Sequence, residues 1–396
     1  MIKSIFLTDC VKRSDLLFAL QVFVLADLLF FPRLLFAFGM PISLLFIGIL
    51  IFNRPIQLMR VVMALALLVL MLGSVVYGAV SGENSIPQES LKRAVQLFTI
   101  LTYSFIQLDS GRVRPALIVV LRCFYVWIFC TMLLFFILPD IYRQFIAAIY
   151  PETLDQLDNT LDIFRFAYIY SDPNSAAYLI CLTLVAYLFI ERNLNWRFLC
   201  ATMAFVTILA TQSRGAYVAV AVIIVYYSFT LRVPLRRRIL VFGGICLVLW
   251  SFASNYSEEF YQAYSVFEAR FDQEEDLGGG RADKYKYFVE NFNFLPVGSG
   301  YHLQKEGAEF RPHSDLIRIN LSYGILALPL FFYFVFPRRK TQVVLFIAFL
   351  VPFLINTVID DYRLFGIYLL FFGLLDQYDS GYAKKRLKQQ PVIQSR

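Results

Sequence analysis

LMRVVMALALLVLMLGSVVYGAV, residues 58–80, holds one charged side chain, Arg60, in twenty-three positions. At ~1.5 Å of rise per residue, about 20 such residues span a hydrocarbon core of ~30 Å. Lipid offers a backbone N–H or C=O no partner, so a crossing segment must close its own hydrogen bonds as a helix. The strands of a membrane barrel alternate apolar and polar residues, and this stretch does not. Eleven further runs read the same way: 15–32, 34–52, 91–108, 115–138, 166–190, 197–211, 212–231, 239–254, 316–336, 341–359 and 362–377. The chain as a whole is 59% hydrophobic, above the roughly 45–50% of soluble domains. The expectation is an all-α polytopic membrane protein of about 12 transmembrane helices, a single transmembrane domain over residues 1–396.

Basic residues set the orientation, because cytoplasmic loops collect Lys and Arg. With Lys3, Lys12 and Arg13 in the cytoplasm, every second loop is basic: Arg54 and Arg60; Arg112 and Arg114; Arg192 and Arg197; Arg232 with Arg236 to Arg238; Arg338 to Lys340. The tail, with Lys384, Lys385, Arg386 and Lys388, returns to the same side. Both termini are therefore expected in the cytoplasm. The first apolar run is long and lacks a small-residue cleavage site, so it reads as span one and not as a removed signal. The net charge of +7 is then an orientation signal that also meets lipid headgroups; no nucleic-acid partner is implied. The six cysteines, Cys10, Cys123, Cys130, Cys181, Cys200 and Cys246, fall in spans or on the cytoplasmic side without a C-x-x-C. They read as packing residues and imply neither a disulfide framework nor a thiolate metal site.

Residues 255–315, between spans nine and ten, form the long polar outer loop and hold both histidines, His302 and His313. Phe260, Tyr264 and Phe267 recur at helical spacing, as do Tyr285, Phe288 and Phe292, so the loop is expected to carry short helices. Gly278 to Gly280 break the first pattern, and Pro296, Gly298 and Gly300 make the next turn. A second outer segment, 139–165, carries Asp155, Asp158 and Asp162. Asp360-Asp361 lies at a short outer hairpin and reads as solvating it.

Charge at the outer face needs an explanation, since positive-inside logic disfavours arginine there. Arg214 sits in Thr211-Gln212-Ser213-Arg214-Gly215-Ala216-Tyr217, at the junction of spans seven and eight. It reads either as an arginine snorkelling to the interface or as an anion site, where a guanidinium fork and the N–H groups of a starting helix suit phosphate oxygens. Arg165, Arg270, Arg281, Arg311 and Arg318 share that face. Together they suit a polyanion beside the membrane, such as a lipid pyrophosphate; separately each can be neutralised by acids such as Glu258, Glu268 and Asp272. His313, in Arg311-Pro312-His313-Ser314-Asp315, can accept a proton at neutral pH, and Asp315 is placed to orient it. Two histidines eleven residues apart and no D-x-D make a poor metal site, so none is expected, and no cofactor motif is present.

Five segments occur in order: Arg165-Phe-Ala-Tyr-Ile-Tyr-Ser-Asp172-Pro173-Asn174-Ser-Ala-Ala-Tyr178; Thr211-Gln-Ser-Arg214-Gly-Ala216; Gly280-Arg281-Ala-Asp-Lys-Tyr285; Pro296-Val-Gly-Ser-Gly-Tyr301; and His313-Ser-Asp-Leu-Ile-Arg-Ile-Asn-Leu-Ser-Tyr-Gly324. Their order and spacing, over roughly residues 160–330, resemble the O-antigen ligase and O-antigen polymerase superfamily (WaaL-like and Wzy-like proteins). His-Ser-Asp stands here where that family often has His-Asn. The resemblance implies a GT-C-like membrane glycosyltransferase with its active site on the periplasmic face of a bacterial inner membrane. It implies a donor glycan on undecaprenyl pyrophosphate and, as acceptor, another glycan or a lipid A core sugar, with membrane lipids and other polysaccharide-assembly proteins as further partners. By position it makes Arg214 and His313 catalytic. Arg214, Arg281 and Arg311 would bind pyrophosphate, and Arg165, Asp172, Asn174 and Asp315 would support them. Such an enzyme would be metal-independent and inverting. The form of the motifs leans towards a polymerase; a ligase is the nearest alternative. A lipid-linked glycan transporter would need charges lining a path, whereas the in-span charges Asp27 and Arg122 are few.

Overall fold

The computed structural model describes residues 13–31, 41–52, 57–84, 86–108, 110–149, 161, 164–170, 172–230, 286–288, 290, 292, 294–301, 303–305, 308–310 and 314–389. Thirteen helices are found among them. In chain order these are α1 Arg13–Phe30, α2 Leu44–Phe52, α3 Leu58–Ser81, α4 Pro87–Leu101, α5 Ser110–Ile137, α6 Pro139–Ile149 and α7 Pro173–Ile190. They continue as α8 Leu194–Thr211, α9 Arg214–Thr230, α10 Asp315–Tyr323, α11 Ala327–Val335, α12 Lys340–Ile355 and α13 Tyr362–Gln389. Among the described residues, four stretches are long and apolar enough to cross a membrane: Leu58–Ser81, Arg112–Ile137, Pro173–Ile190 and Leu194–Thr211. The run expected at 239–254, and the amphipathic pattern at 256–271, lie outside the described residues.

The helix α7 is the central strut. Of its best apolar window 83% is buried, against 28–39% in the other three, so α7 is enclosed by protein far more fully than they are. It packs against α5, α8, α9, α12 and α13. One continuous apolar core runs from Val24 in α1 to Leu375 in α13. Phe331, Phe353, Phe365, Phe349 and Tyr368 stack within it at ring separations of 4.2–5.6 Å.

Three elements depart from the expected spans. The run 166–190 becomes helical only at Pro173, because proline at the first helical position and the Asp172 side chain, accepting from the Asn174 amide, start the helix there. Residues 166–170 are buried but irregular, with Tyr168 at φ 54°. The run 316–336 is two nine-residue helices, α10 and α11, because Gly324 adopts φ +92° and ends the first. The long loop carries, besides a helical turn at 286–288, an antiparallel hairpin of β1 Leu303–Lys305 and β2 Ala308–Phe310, with Gln304 opposite Glu309. The helix α6 covers the outer end of α5 and sends the Tyr142 hydroxyl to the carbonyl of Tyr168 at 2.9 Å.

The basic loops collect at the end of the molecule marked by the C-terminus of α7. Arg114 donates to the carbonyl of Ile190 at 2.6 and 3.1 Å, and Arg122 to Glu191 at 2.5 and 2.9 Å. Arg60 reaches the carbonyl of Ser104 at 2.9 Å, and Arg339 reaches Asp376 at 3.3 Å. Arg122 is thus paired at the C-terminal end of α7.

Candidate functional site at the outer end of the bundle

The opposite end, at the N-terminus of α7, gathers the loops whose motifs stood out in the sequence. Asn356, just past α12, is their meeting point. Its carbonyl accepts the Asp315 amide at 3.1 Å, and its side-chain amide donates to Asp172 Oδ2 at 3.4 Å. The C-terminal carbonyls of α8 are reached from the other side. Arg165 Nε donates to Thr211 O at 3.1 Å and its Nη2 to Asn174 Oδ1 at 3.5 Å, while the Phe166 amide donates to Ala210 O at 3.0 Å. Asn174 closes the chain by donating its side-chain N–H to Asp172 Oδ1 at 2.9 Å. Arg165, Asp172, Asn174 and Asp315 therefore belong to one hydrogen-bonded network.

Asp315 is fully buried at the first position of α10. Its Oδ2 accepts the amides of Val358 at 2.6 Å and Ile359 at 3.0 Å, and its Oδ1 is paired with Arg318. A buried carboxylate needs such compensation. The carboxylate secures the loop 356–361 and the first turn of α10, with Arg318 and two amides as its partners. Arg318 is itself buried, donating to Asp360 at 2.7 Å and to the Tyr301 hydroxyl at 3.3 Å. Burial, with Asp360 beside it, raises the Tyr301 hydroxyl above its ordinary pKa, so the phenol keeps its proton at neutral pH. Asp360 and Asp361 do not simply solvate their hairpin. Asp360 pairs with Arg318, and its carbonyl accepts from Gln96 at 2.6 Å; Asp361 caps α13 through the amides of Arg363 and Leu364.

Arg214 opens α9 and is half-buried. Its neighbour Gly215 lies so close to Tyr178 of α7 and Ile355 of α12 that a Cβ there would overlap both. Arg214 thereby begins its helix against Ile355, the residue before Asn356. The loop ends that flank Arg214 and Asp315 meet at the tip of α12.

The motif Pro296–Tyr301 crosses α10 as a strap. The amides of Ser299 and Gly300 donate to Leu321 O at 3.0 Å and Ser322 O at 2.9 Å, carbonyls that the short helix leaves unpaired. The Gly298 amide donates to Ser74 Oγ at 3.1 Å, and Ser299 Oγ to Glu83. The Tyr301 amide donates to Ser90 Oγ at 3.0 Å. A Cβ on Gly298 would overlap the backbone of Leu321 to Tyr323, so the glycine is required by close approach. Nearby, Phe288 packs on Leu321, with Phe292 and Ile317 beside it, and the rings of Phe288 and Phe292 are 5.5 Å apart as their spacing led one to expect. Arg281, Arg311 and His313, with His302, lie outside the described residues. Asn356, Asp360, Gln96 and Tyr301 were not singled out as site residues in the sequence; of them Tyr301 closed one of the five motifs and Asp360 stood in an acidic pair at an outer hairpin, while Asn356 and Gln96 carried no signal.

Residues 198–332 match a family model described as O-antigen ligase. The match covers about a third of the chain, from α8 to α11, and includes Arg214, the strap and Asp315. No curated protein matches the chain. The family match supports the O-antigen ligase and polymerase superfamily, with a glycan donor on a lipid and a glycan acceptor as its general substrates.

Proposed function

We propose, with the O-antigen ligase match as premise, that the protein is a glycosyltransferase at the periplasmic face of a bacterial inner membrane. It would move a glycan from undecaprenyl pyrophosphate to an acceptor sugar hydroxyl. The observation that supports this most is the convergence of the segments bearing Arg165, Asp172, Arg214, Tyr301 and Asp315 at one end of the bundle, through Asn356 and the strap. A GT-C-like arrangement, with the reaction at the outer ends of many spans, suits that geometry.

In this reading the acceptor oxygen attacks the anomeric carbon as the bond to the pyrophosphate oxygen breaks, and His313 takes the hydroxyl proton. The leaving pyrophosphate needs charge stabilisation and no proton, which arginines aimed at it provide. Arg214 at the start of α9, with Arg281 and Arg311, fills that role without a metal. A single displacement inverts the anomeric centre. Arg165, Asp172, Asn174 and Asp315 hold the loops from which these groups project.

A polymerase would extend a second carrier-linked glycan, the reading favoured by the His-Ser-Asp and Ser-Asp-Pro-Asn forms. A ligase would use a lipid A core sugar, the reading favoured by the description of the matched family. A glycan ladder decides between them, run from cells lacking the gene and from cells complemented with wild type, Arg214→Ala or His313→Ala. Surface glycan limited to one repeat unit in the deletion identifies a polymerase. Full-length glycan retained on its carrier over a bare core identifies a ligase. Both variants are expected to reproduce the deletion pattern. A ladder unchanged by the deletion overturns both readings.

A further inference from the structure

Tyr301 joins two arginines that the proposed chemistry does not use. The guanidinium carbons of Arg93 in α4 and Arg318 in α10 each lie 5.3 Å from its ring centroid. Its amide is tied to Ser90 at 3.0 Å, one turn before Arg93. Arg93 is held by Glu89 at 3.3 Å and Gln96 at 3.1 Å, and Gln96 by the Asp360 carbonyl at 2.6 Å. Two guanidiniums brought together repel, and the ring's quadrupole with the carboxylates of Glu89, Asp360 and Asp315 offsets that repulsion. With both cations over it, the ring is engaged within the protein.

We infer that Tyr301 is a positioning residue. Through its ring it clamps Arg318 to α4, and through Arg318 and Asp315 it holds the first turn of α10, two residues after His313. The glycine strap is thereby the spacer that delivers the ring, and α4 is the fixed wall. The catalytic consequence rests on the proposed glycosyl transfer; the clamp itself does not.

Two measurements separate these. In purified protein supplied with a polyprenyl-pyrophosphate-linked glycan and an acceptor glycan, Tyr301→Ala is expected to lower kcat by about tenfold to a hundredfold, a misplacement effect, with the donor KM little changed. Tyr301→Phe keeps the ring and is expected to stay within about threefold of wild type. The second measurement needs no activity. Ser314, beside His313, is buried, so Ser314→Cys in a cysteine-free background should resist a water-soluble maleimide. Adding Tyr301→Ala, or Arg318→Lys in a parallel variant, should speed its labelling by about tenfold or more as the clamp releases. Labelling that stays slow in both double variants overturns the clamp. So does a Tyr301→Phe enzyme as impaired as Tyr301→Ala, or a loss confined to donor KM. A wild-type protein that transfers no glycan while the labelling responds as expected overturns the proposed reaction and leaves the clamp standing.

Discussion

Asp315 and Arg318 are three residues apart, and both are buried at the start of a nine-residue helix. Burial of either charge alone would be prohibitive, and the pair is viable because each member is matched by opposite charge and hydrogen bonds. The Asp315 oxygens take Arg318 and two loop amides, and Arg318 also takes Asp360. Asp315→Asn replaces one acceptor oxygen with a donor that faces either Arg318 or the amides of Val358 and Ile359. It is expected to cost roughly 3–5 kcal/mol, read as a lower thermal unfolding midpoint in detergent. A midpoint equal to wild type would show that the pair does not hold the loop. In the sequence, Asp315 stood out for its nearness to His313. Its loop partners, Val358 and Ile359, are more than forty positions away, and nothing in local spacing names them.

The strap and the two halves of the broken span form one unit at the scale of elements. Helix α10 ends at Gly324, and two of its final carbonyls are completed by amides of residues 299 and 300. Hydropathy alone reads 316–336 as one span, since eight residues before and twelve after a lone glycine look continuous. The break is decided by positive φ at Gly324 and by a strap close enough to supply the missing donors. Gly298→Ala forces a Cβ into the backbone of α10, which cannot yield cheaply. Membrane insertion should survive, because the spans are untouched, while glycan transfer falls by about tenfold or more. Gly73→Ala in α3, where nothing lies within 4 Å, is the control and should alter neither. Equal activity in the two variants would mean that the strap is not seated against α10.

At the scale of the whole molecule the loops sort to two ends. One holds Arg60, Arg114, Arg122 and Arg339 with their partners; the other holds Asp172, Arg214, Asp315 and Asp360. If the second end faces the periplasm, a membrane-impermeant maleimide should label Gln88→Cys in intact spheroplasts and Arg338→Cys only after permeabilisation, both positions being exposed. The reverse pattern would invert the orientation and end the periplasmic assignment. The sequence by itself determined that this is a helical membrane chain with alternating basic loops, and it marked Arg165, Asp172, Asn174, Arg214 and Asp315 as worth following. Hydropathy and charge are local properties, legible one segment at a time. Only the tertiary structure decided that Asn356 ties Asp172 to Asp315, that Arg318 is neutralised by Asp360 and that Tyr301 bridges α4 and α10. Each of these contacts joins residues far apart in the chain. Their energy comes from matching buried donors, acceptors and charges across helices, a property of the packed bundle that no single segment carries.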